Sequence, residues 1–143
     1  MSTTHQLCTF RVAGLYMGVE VTEVSEVLRL QQMTPVPLSY DVVAGLVNLR
    51  GEIVTALDLR RRLGFERFAG GAGTSIVLRS AGETMTLLID EIGDVVTVDD
   101  DDFEPPPETV GEGARDLIRG AYKLEGSLLL LLDIDRALAL PAA

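Results

Sequence analysis

A duplicated segment limits the folds available to this chain more than any other feature of the sequence. Residues 45–63, GLVNLRGEIVTALDLRRRL, align without a gap with residues 120–138, GAYKLEGSLLLLLDIDRAL, at an offset of 75 positions. Seven of these positions are identical, among them the glycine pair Gly51 and Gly126. A chain with such a repeat is expected to fold as two related units.

The repeat extends upstream with small changes of offset. The apolar and acidic positions of residues 19–27 recur 68 positions later, and the prolines of residues 35–37 recur 70 positions later. Such changes correspond to loops of different length, which a protein surface tolerates at a small cost in free energy. We therefore predict a single domain over residues 1–143, with a first lobe at about 13–64 and a second lobe at about 74–140.

Short strands separated by turn signals are predicted throughout the chain. Residues 15–21 alternate with the period of a half-buried strand, whereas residues 22–29 fit either a helical turn or a twisted strand end. Residues 43–57 are typical of a hairpin that turns at Arg50-Gly51. Asp58 and Asp133 are each expected to cap a short helix. Because long helices are nearly absent from the pattern, we predict a mostly β protein with two small β-barrels or sandwiches side by side.

Composition excludes several classes of function. The chain has a net charge of −10, and the excess comes from residues 65–143, with 16 acidic and six basic side chains. This charge argues against nucleic-acid binding through the phosphate backbone, because that contact needs a basic surface. Cys8 is the only cysteine, so no internal disulfide is expected. Without a signal-peptide pattern or a long apolar run, the protein is expected to be cytoplasmic and not inserted in a membrane.

Comparison of the two copies separates structural positions from candidate functional ones. Residues that both copies share are those that the fold itself requires, such as the turn glycines and the two capping aspartates. At the turn, however, the first copy has Arg50 where the second copy has Glu125. The fold therefore does not require a cation at this turn, and Arg50 is the leading candidate for a functional residue.

A set of short motifs, in order along nearly the whole chain, resembles the CheW family of chemotaxis adaptors. The first half carries NLRG at residues 48–51, IV at 53–54 and LDL at 57–59, preceded by VSEV at 24–27 and PVP at 35–37. The second half carries LLIDEIGDV at residues 87–95 and LLDI at 131–134. Each motif is degenerate alone, but their order and spacing together are specific.

The resemblance implies a fold, partners and binding residues. It implies two intertwined SH3-like five-stranded β-barrels with no catalysis and no cofactor. It also implies simultaneous binding of a chemoreceptor tip and of the regulatory domain of the CheA histidine kinase. The receptor-binding positions of the family fall on Val24, Glu26, Asn48 and Arg50. The kinase-binding positions fall near Met85 and Thr86, where Thr86 replaces a glycine common in the family.

Several alternatives remain open at this level. Arg50 and Glu26 are hypothesised to form an ion pair, whereas Val24 and Val27 fit the core as well as they fit a binding surface. A different class of function, a small ligand-binding or hydrolytic β-barrel, would use paired carboxylates such as Glu91 and Asp94. The nearby acidic run at residues 99–102 lacks the pattern of a calcium loop and is interpreted as a solvated loop.

The lone histidine and the lone cysteine are not predicted to be functional. His5 is expected in a frayed terminus, which argues against a histidine metal site or a catalytic triad. Cys8 lies in an apolar segment and is interpreted as a buried small hydrophobic residue rather than as a nucleophile. No residue is therefore predicted to be catalytic or to bind a metal.

Overall fold

Eleven strands and three short helices make up the part of the chain described by the computed structural model, residues 3–29, 33–36, 41–66, 73–80, 82–108 and 110–139. The strands are β1 (Thr4–Val12), β2 (Leu15–Glu20), β3 (Val24–Arg29), β4 (Val43–Leu49), β5 (Glu52–Asp58), β6 (Thr74–Ser80), β7 (Glu83–Leu88), β8 (Glu91–Asp99), β9 (Phe103–Glu104), β10 (Ile118–Leu124) and β11 (Ser127–Leu132). The helices are α1 (Leu59–Arg62), α2 (Glu112–Arg115) and α3 (Ile134–Leu138), and two single 3₁₀ turns cover Val21–Glu23 and Asp100–Asp102.

The strands form two sheets, which confirms the mostly β prediction. One sheet has six strands in the order β8-β1-β2-β11-β10-β9, and the other has five in the order β3-β6-β7-β5-β4. The expectation of five strands in each lobe is therefore wrong for one sheet, because the two-residue strand β9 pairs with β10 as an additional edge. Within the described residues no pairing joins the two edge strands of either sheet, so the sheets are open rather than closed barrels.

The two halves of the chain exchange strands. Strands β1 and β2 pair with strands from the second half, and β6 and β7 join β3, β4 and β5 from the first half. The exchange uses one parallel contact in each sheet, β5 with β7 and β11 with β2. The intertwining implied by the resemblance is thus present. The predicted lobe ranges, 13–64 and 74–140, are continuous segments of the chain. The two sheets divide the chain differently, because each sheet contains strands from both halves.

The core has a central cluster and two smaller ones. The central cluster takes buried side chains from both sheets and from the helices, whereas the other two belong to the six-stranded and the five-stranded sheet respectively. The leucine run at residues 128–132 contributes side chains to two of these clusters. Leu130 and Leu132 face the central cluster, while Leu129 and Leu131 face the cluster of the six-stranded sheet. Alternation by two places both faces of β11 in the core.

The caps predicted from the repeat are confirmed. The Asp58 carboxylate accepts from the Arg61 amide at 3.2 Å, and the Asp133 carboxylate accepts from the Arg136 amide at 3.1 Å. Residues 22–29, which had two possible interpretations, form the end of a 3₁₀ turn followed by strand β3. The predicted hairpin is β4 and β5, and its strands pair Leu49 with Glu52 next to the turn. Pro37 and Gly70 to Ala72, in the predicted loops, lie outside the described residues.

His5 corrects one expectation about the N-terminus. It lies within β1 and pairs with Val98 of β8, so it is not in a frayed end. Its Nε2 lies 2.7 Å from an Asp100 carboxylate oxygen, and its Nδ1 lies 3.4 Å from Glu20. Cys8 is buried as interpreted, and burial raises the pKa of its thiol. A protonated, enclosed thiol is a poor nucleophile.

Candidate protein-binding site

The turn between β4 and β5 holds Arg50 in an uncommon backbone conformation. Arg50 has φ of 51° and Gly51 has φ of 88°. Positive φ at both central residues defines a type I′ turn, which matches the right-handed twist of a hairpin. For a residue other than glycine this left-handed conformation costs about 1–2 kcal/mol. The structure of the surrounding turn must therefore hold Arg50 there.

Arg50 forms the hypothesised ion pair with Glu26. One terminal nitrogen of the guanidinium lies 2.6 Å from a carboxylate oxygen of Glu26. Glu26 lies on β3 and Arg50 follows β4, and these two strands are the opposite edges of the five-stranded sheet. The ion pair thus spans the open side of the sheet. The side chain of Arg50 is 80% exposed and that of Glu26 is 24% exposed, so the pair contributes only ~0–1 kcal/mol to stability.

Asn48 is joined to the same turn. Its side-chain oxygen accepts a hydrogen bond from the backbone amide of Gly51 at 2.8 Å. Three of the four predicted receptor-binding residues, Glu26, Asn48 and Arg50, are therefore brought together by two hydrogen bonds at the Arg50 turn.

The valines of β3 divide between the core and the surface. Val24 is half-buried and packs against the central cluster, whereas Val27 is 40% exposed. The structure thus separates two residues that the sequence pattern left undecided. Ile53, paired with Asn48 across the hairpin, is 62% exposed and was not predicted as a site residue. Alternation in β5, with Val54 and Ala56 buried, is the sequence signal that places Ile53 on the outer face.

Met85 and Thr86 lie on β7, in the interior of the five-stranded sheet between β6 and β5. Thr86 is fully buried, and its hydroxyl donates to the carbonyl of Ile76 at 3.2 Å. Met85 is half-buried and packs against the central cluster. In the sheet, strand β5 lies between β7 and β4, the strand that precedes the Arg50 turn, and the side chain of Thr86 does not reach the surface.

The second copy lacks a counterpart of the ion pair. The positions equivalent to Glu26 and Arg50 are Asp94 and Glu125, so both carry negative charge. Asp94 lies on β8, where Ile92 and Val95 are also exposed. The asymmetry expected from the sequence comparison is therefore present in the structure, since only the first copy joins its third strand to its hairpin turn by an ion pair.

A second charged contact lies between the halves of the chain. Arg60 of α1 donates two hydrogen bonds to the Asp90 carboxylate, at 2.7 and 2.6 Å, and the Ala13 amide donates to the same group at 2.8 Å. The hydrogen bonds from Arg60 are the main cause that lowers the pKa of Asp90, and they also raise the pKa of Arg60. Burial opposes this change at Asp90, and the hydrogen bond from the Ala13 amide lowers the pKa of Asp90 to a smaller extent. This contact fixes α1 against the β1–β2 turn.

Asp90→Asn is expected to reduce the free energy of unfolding by about 2 kcal/mol at pH 7, because it weakens charged hydrogen bonds. A lowered folded-state pKa means that the ionised carboxylate stabilises the fold above the ordinary aspartate pKa of about 4 and that this contribution is lost at lower pH. Urea unfolding measured from pH 7 to pH 3 should therefore show that the difference in free energy of unfolding between wild type and variant becomes smaller below about pH 4. Asp94→Asn, which changes an exposed carboxylate, is the matched control. A difference in free energy of unfolding between wild type and Asp90→Asn that stays constant with pH would contradict a stabilising role of the ionised Asp90.

The geometry also bears on the alternative class of function. Glu91 and Asp94 are both exposed on the edge strand β8, whereas acid–base catalysis by carboxylates needs an enclosed site. Two cavities of about 460 and 430 Å³ lie near the ends of the helices, and neither is lined by these residues or by a predicted binding residue. Within the described ranges no three histidine, cysteine or acidic side chains are grouped to hold a metal ion.

Comparison with known proteins gives a consistent assignment. The profile of the CheW-like domain matches residues 6–141. Chemotaxis protein CheW of Rhizobium meliloti is 29% identical over 131 residues, covering 91% of this chain and 84% of that protein. Chemotaxis protein CheW of Bacillus subtilis is 29% identical over 139 residues, covering 96% and 89%. The crystal structure of the scaffolding protein TtCheW from Thermoanaerobacter tengcongensis has the same fold, with a TM-score of 0.80, 24% identity and coverage of 91% and 89%.

The fold and the candidate site define a class of protein: a duplicated, strand-exchanged β protein whose distinctive residues form an exposed surface rather than a cleft. The chain belongs to the CheW family of chemotaxis proteins. None of the helices in the described ranges has the length and apolar character needed to cross a bilayer.

Proposed function

We propose that this protein is a non-enzymatic adaptor that links the cytoplasmic tips of methyl-accepting chemoreceptors to a CheA-type histidine kinase. The observation that carries the proposal is the Arg50–Glu26 ion pair, which only the first of two copies contains and which spans the open side of the five-stranded sheet. Because the second copy folds without this ion pair, its residues in the first copy are free to take part in binding a partner protein. The proposal places the protein in the cytoplasm, held at receptor arrays by protein contacts.

The receptor is proposed to bind at the Arg50 turn and strand β3. A receptor tip is a helical hairpin, and a helix that lies in a groove takes contact area from apolar side chains and its register from charges. Val27 and Ile53 provide exposed apolar surface near Glu26 and Arg50 in the sequence, and Arg50 offers a guanidinium that is largely open to solvent. Val24 packs against the central cluster and so supports β3, the strand that carries Glu26.

The kinase is proposed to bind through the region of Met85 and Thr86. Because Thr86 is buried, its contribution is to hold β6 against β7 through the bond to Ile76, and direct contacts come from exposed neighbours such as Glu83 at the start of β7. The threonine in place of glycine at this position thus adds a side chain to the interior rather than to the interface. Neither nucleic acid nor a lipid surface is proposed as a partner, in keeping with the net charge of −10.

Titration calorimetry with two separate partners tests the proposal. The full chain is expected to bind a receptor-tip fragment and a CheA regulatory domain, each with a micromolar dissociation constant, or about −8 kcal/mol. Such contacts allow an array to assemble and reorganise. Failure to bind either partner would overturn the adaptor function. Turnover of a small substrate that Glu91→Gln abolishes would instead favour the hydrolytic class.

A further inference from the structure

Asn48 is placed where it controls the conformation of Arg50. We infer that Asn48 is a positioning residue, whose side-chain oxygen holds the type I′ turn so that Arg50 meets Glu26, and that it is not itself a contact with the partner. The effect on receptor binding rests on the proposed function, whereas the effect on the turn does not.

The turn sequence alone does not explain the geometry. Type I′ turns favour asparagine, aspartate or glycine at the first central position, where φ is positive, and Arg50 is none of these. The hydrogen bond from the Gly51 amide to the Asn48 side chain, 2.8 Å long, pins the second central residue from across the turn. A polar side chain that satisfies a turn amide in this way stabilises one backbone conformation over its alternatives.

The second copy is a natural comparison for this inference. Lys123 occupies the position of Asn48, and lysine has no atom that accepts a hydrogen bond. Its ammonium lies instead 3.5 Å from Glu104. At the equivalent turn, Gly126 has a positive φ of 77° and Glu125 does not, so only the second central residue is left-handed, as in a type II turn. The hairpin with the acceptor Asn48 has a type I′ turn, and the equivalent hairpin with Lys123, which cannot accept a hydrogen bond, does not.

The turn type decides where the side chain of the first central residue leaves the backbone. In the first copy this direction brings the guanidinium of Arg50 within 2.6 Å of Glu26 while 80% of the side chain remains exposed. A long exposed side chain without a fixed backbone would sample many orientations and would lose that freedom on binding. Asn48 thus prepares Arg50 for recognition before the partner arrives.

Nuclear magnetic resonance on the full chain tests the turn directly. In Asn48→Ala, exchange of the Gly51 amide is expected to be about three- to tenfold faster, as loss of one hydrogen bond implies, and the Arg50 side-chain signals should move toward those of Glu26→Gln. Asn48→Asp keeps an acceptor and should retain the wild-type behaviour. Lys123→Ala is the matched control and should leave the Gly126 amide unchanged.

Calorimetry with the receptor-tip fragment separates this inference from the proposed function. Asn48→Ala should bind about three- to tenfold more weakly than wild type, and Asn48→Asp should recover most of the affinity. Unchanged Gly51 exchange in Asn48→Ala, or faster exchange with wild-type affinity, would overturn the positioning role, as would failure of Asn48→Asp to recover either property. If wild type itself does not bind while the turn responds as described, the positioning role stands and the adaptor function falls.

Discussion

Gly120→Val is expected to lower the free energy of unfolding by about 3 kcal/mol, the upper range for overpacking a core position. A Cβ at Gly120 would lie 2.7 Å from the carbonyl oxygen of Glu104 and 2.3 Å from Cζ of Phe103. The carbonyl belongs to the backbone of β9, which pairs with β10 at this point, so it cannot move aside without breaking the sheet. Urea unfolding followed by circular dichroism measures the change.

The repeat supplies both a second test and a control for this prediction. At Gly45, the equivalent position in the first copy, a Cβ would lie 2.8 Å from the carbonyl oxygen of Thr34, so Gly45→Val should also be strongly destabilising. Gly111 has a φ of −59° and no atom near its missing Cβ, so Gly111→Ala, which alters only a helix N-cap, should destabilise much less than either valine substitution. Equal stability of all three variants would show that close backbone approach does not explain the shared glycines.

These glycines illustrate what could be predicted from the sequence. Gly45 and Gly120 are among the seven identical positions of the aligned copies but were not singled out, whereas the duplication identified Asp58 and Asp133 as caps because both copies retain them. The structure adds the physical reason, namely a crossing segment at each site, the bridge of Thr34 with Leu46 and the pairing of β9 with β10. A contact between residues far apart in the chain leaves no periodic signal at either position.

The strand exchange could not be predicted from the pattern of residues alone. Hydrophobic alternation predicts strands, but it does not say which strands pair, and each predicted unit contains its own hairpins. In the structure β6 and β7 of the second half join β3, β4 and β5 of the first half, and β3 pairs with β6 rather than with a strand of its own half. Only the resemblance to the CheW family implied intertwined lobes, and it did not indicate the six-stranded sheet.

For the candidate site, the sequence indicated which residues form the turn but did not predict their burial or backbone conformation. The difference between Arg50 and Glu125 marked the turn, and the contact with Glu26 is confirmed. Burial of Thr86 and exposure of Ile53 depend on which sheet face each residue occupies, and that depends on the exchanged pairing. The left-handed conformation of Arg50 was not predicted either, since arginine rarely adopts positive φ.

Arg50→Glu is expected to weaken binding of a receptor-tip fragment by at least about tenfold, or about 1.4 kcal/mol, in the full chain. The substitution places a carboxylate beside Glu26, so the ion pair is replaced by repulsion, and the exposed cation that would meet the receptor is lost. Because a largely exposed pair adds only ~0–1 kcal/mol to stability, the melting temperature should change little. Calorimetry and thermal unfolding of the same preparation distinguish lost binding from lost folding.

Two further variants make this prediction specific to the ion pair and to its position in the chain. Glu26→Arg should weaken binding to a similar extent, and the double variant Arg50→Glu with Glu26→Arg should recover part of the affinity, because it restores opposite charges across the open side of the sheet. Glu125→Arg changes charge at the equivalent turn of the second copy and should leave the affinity within about twofold of wild type, because that turn lies outside the proposed receptor site. Wild-type affinity in both single reversals at residues 26 and 50 would show that the Arg50–Glu26 pair does not take part in receptor binding.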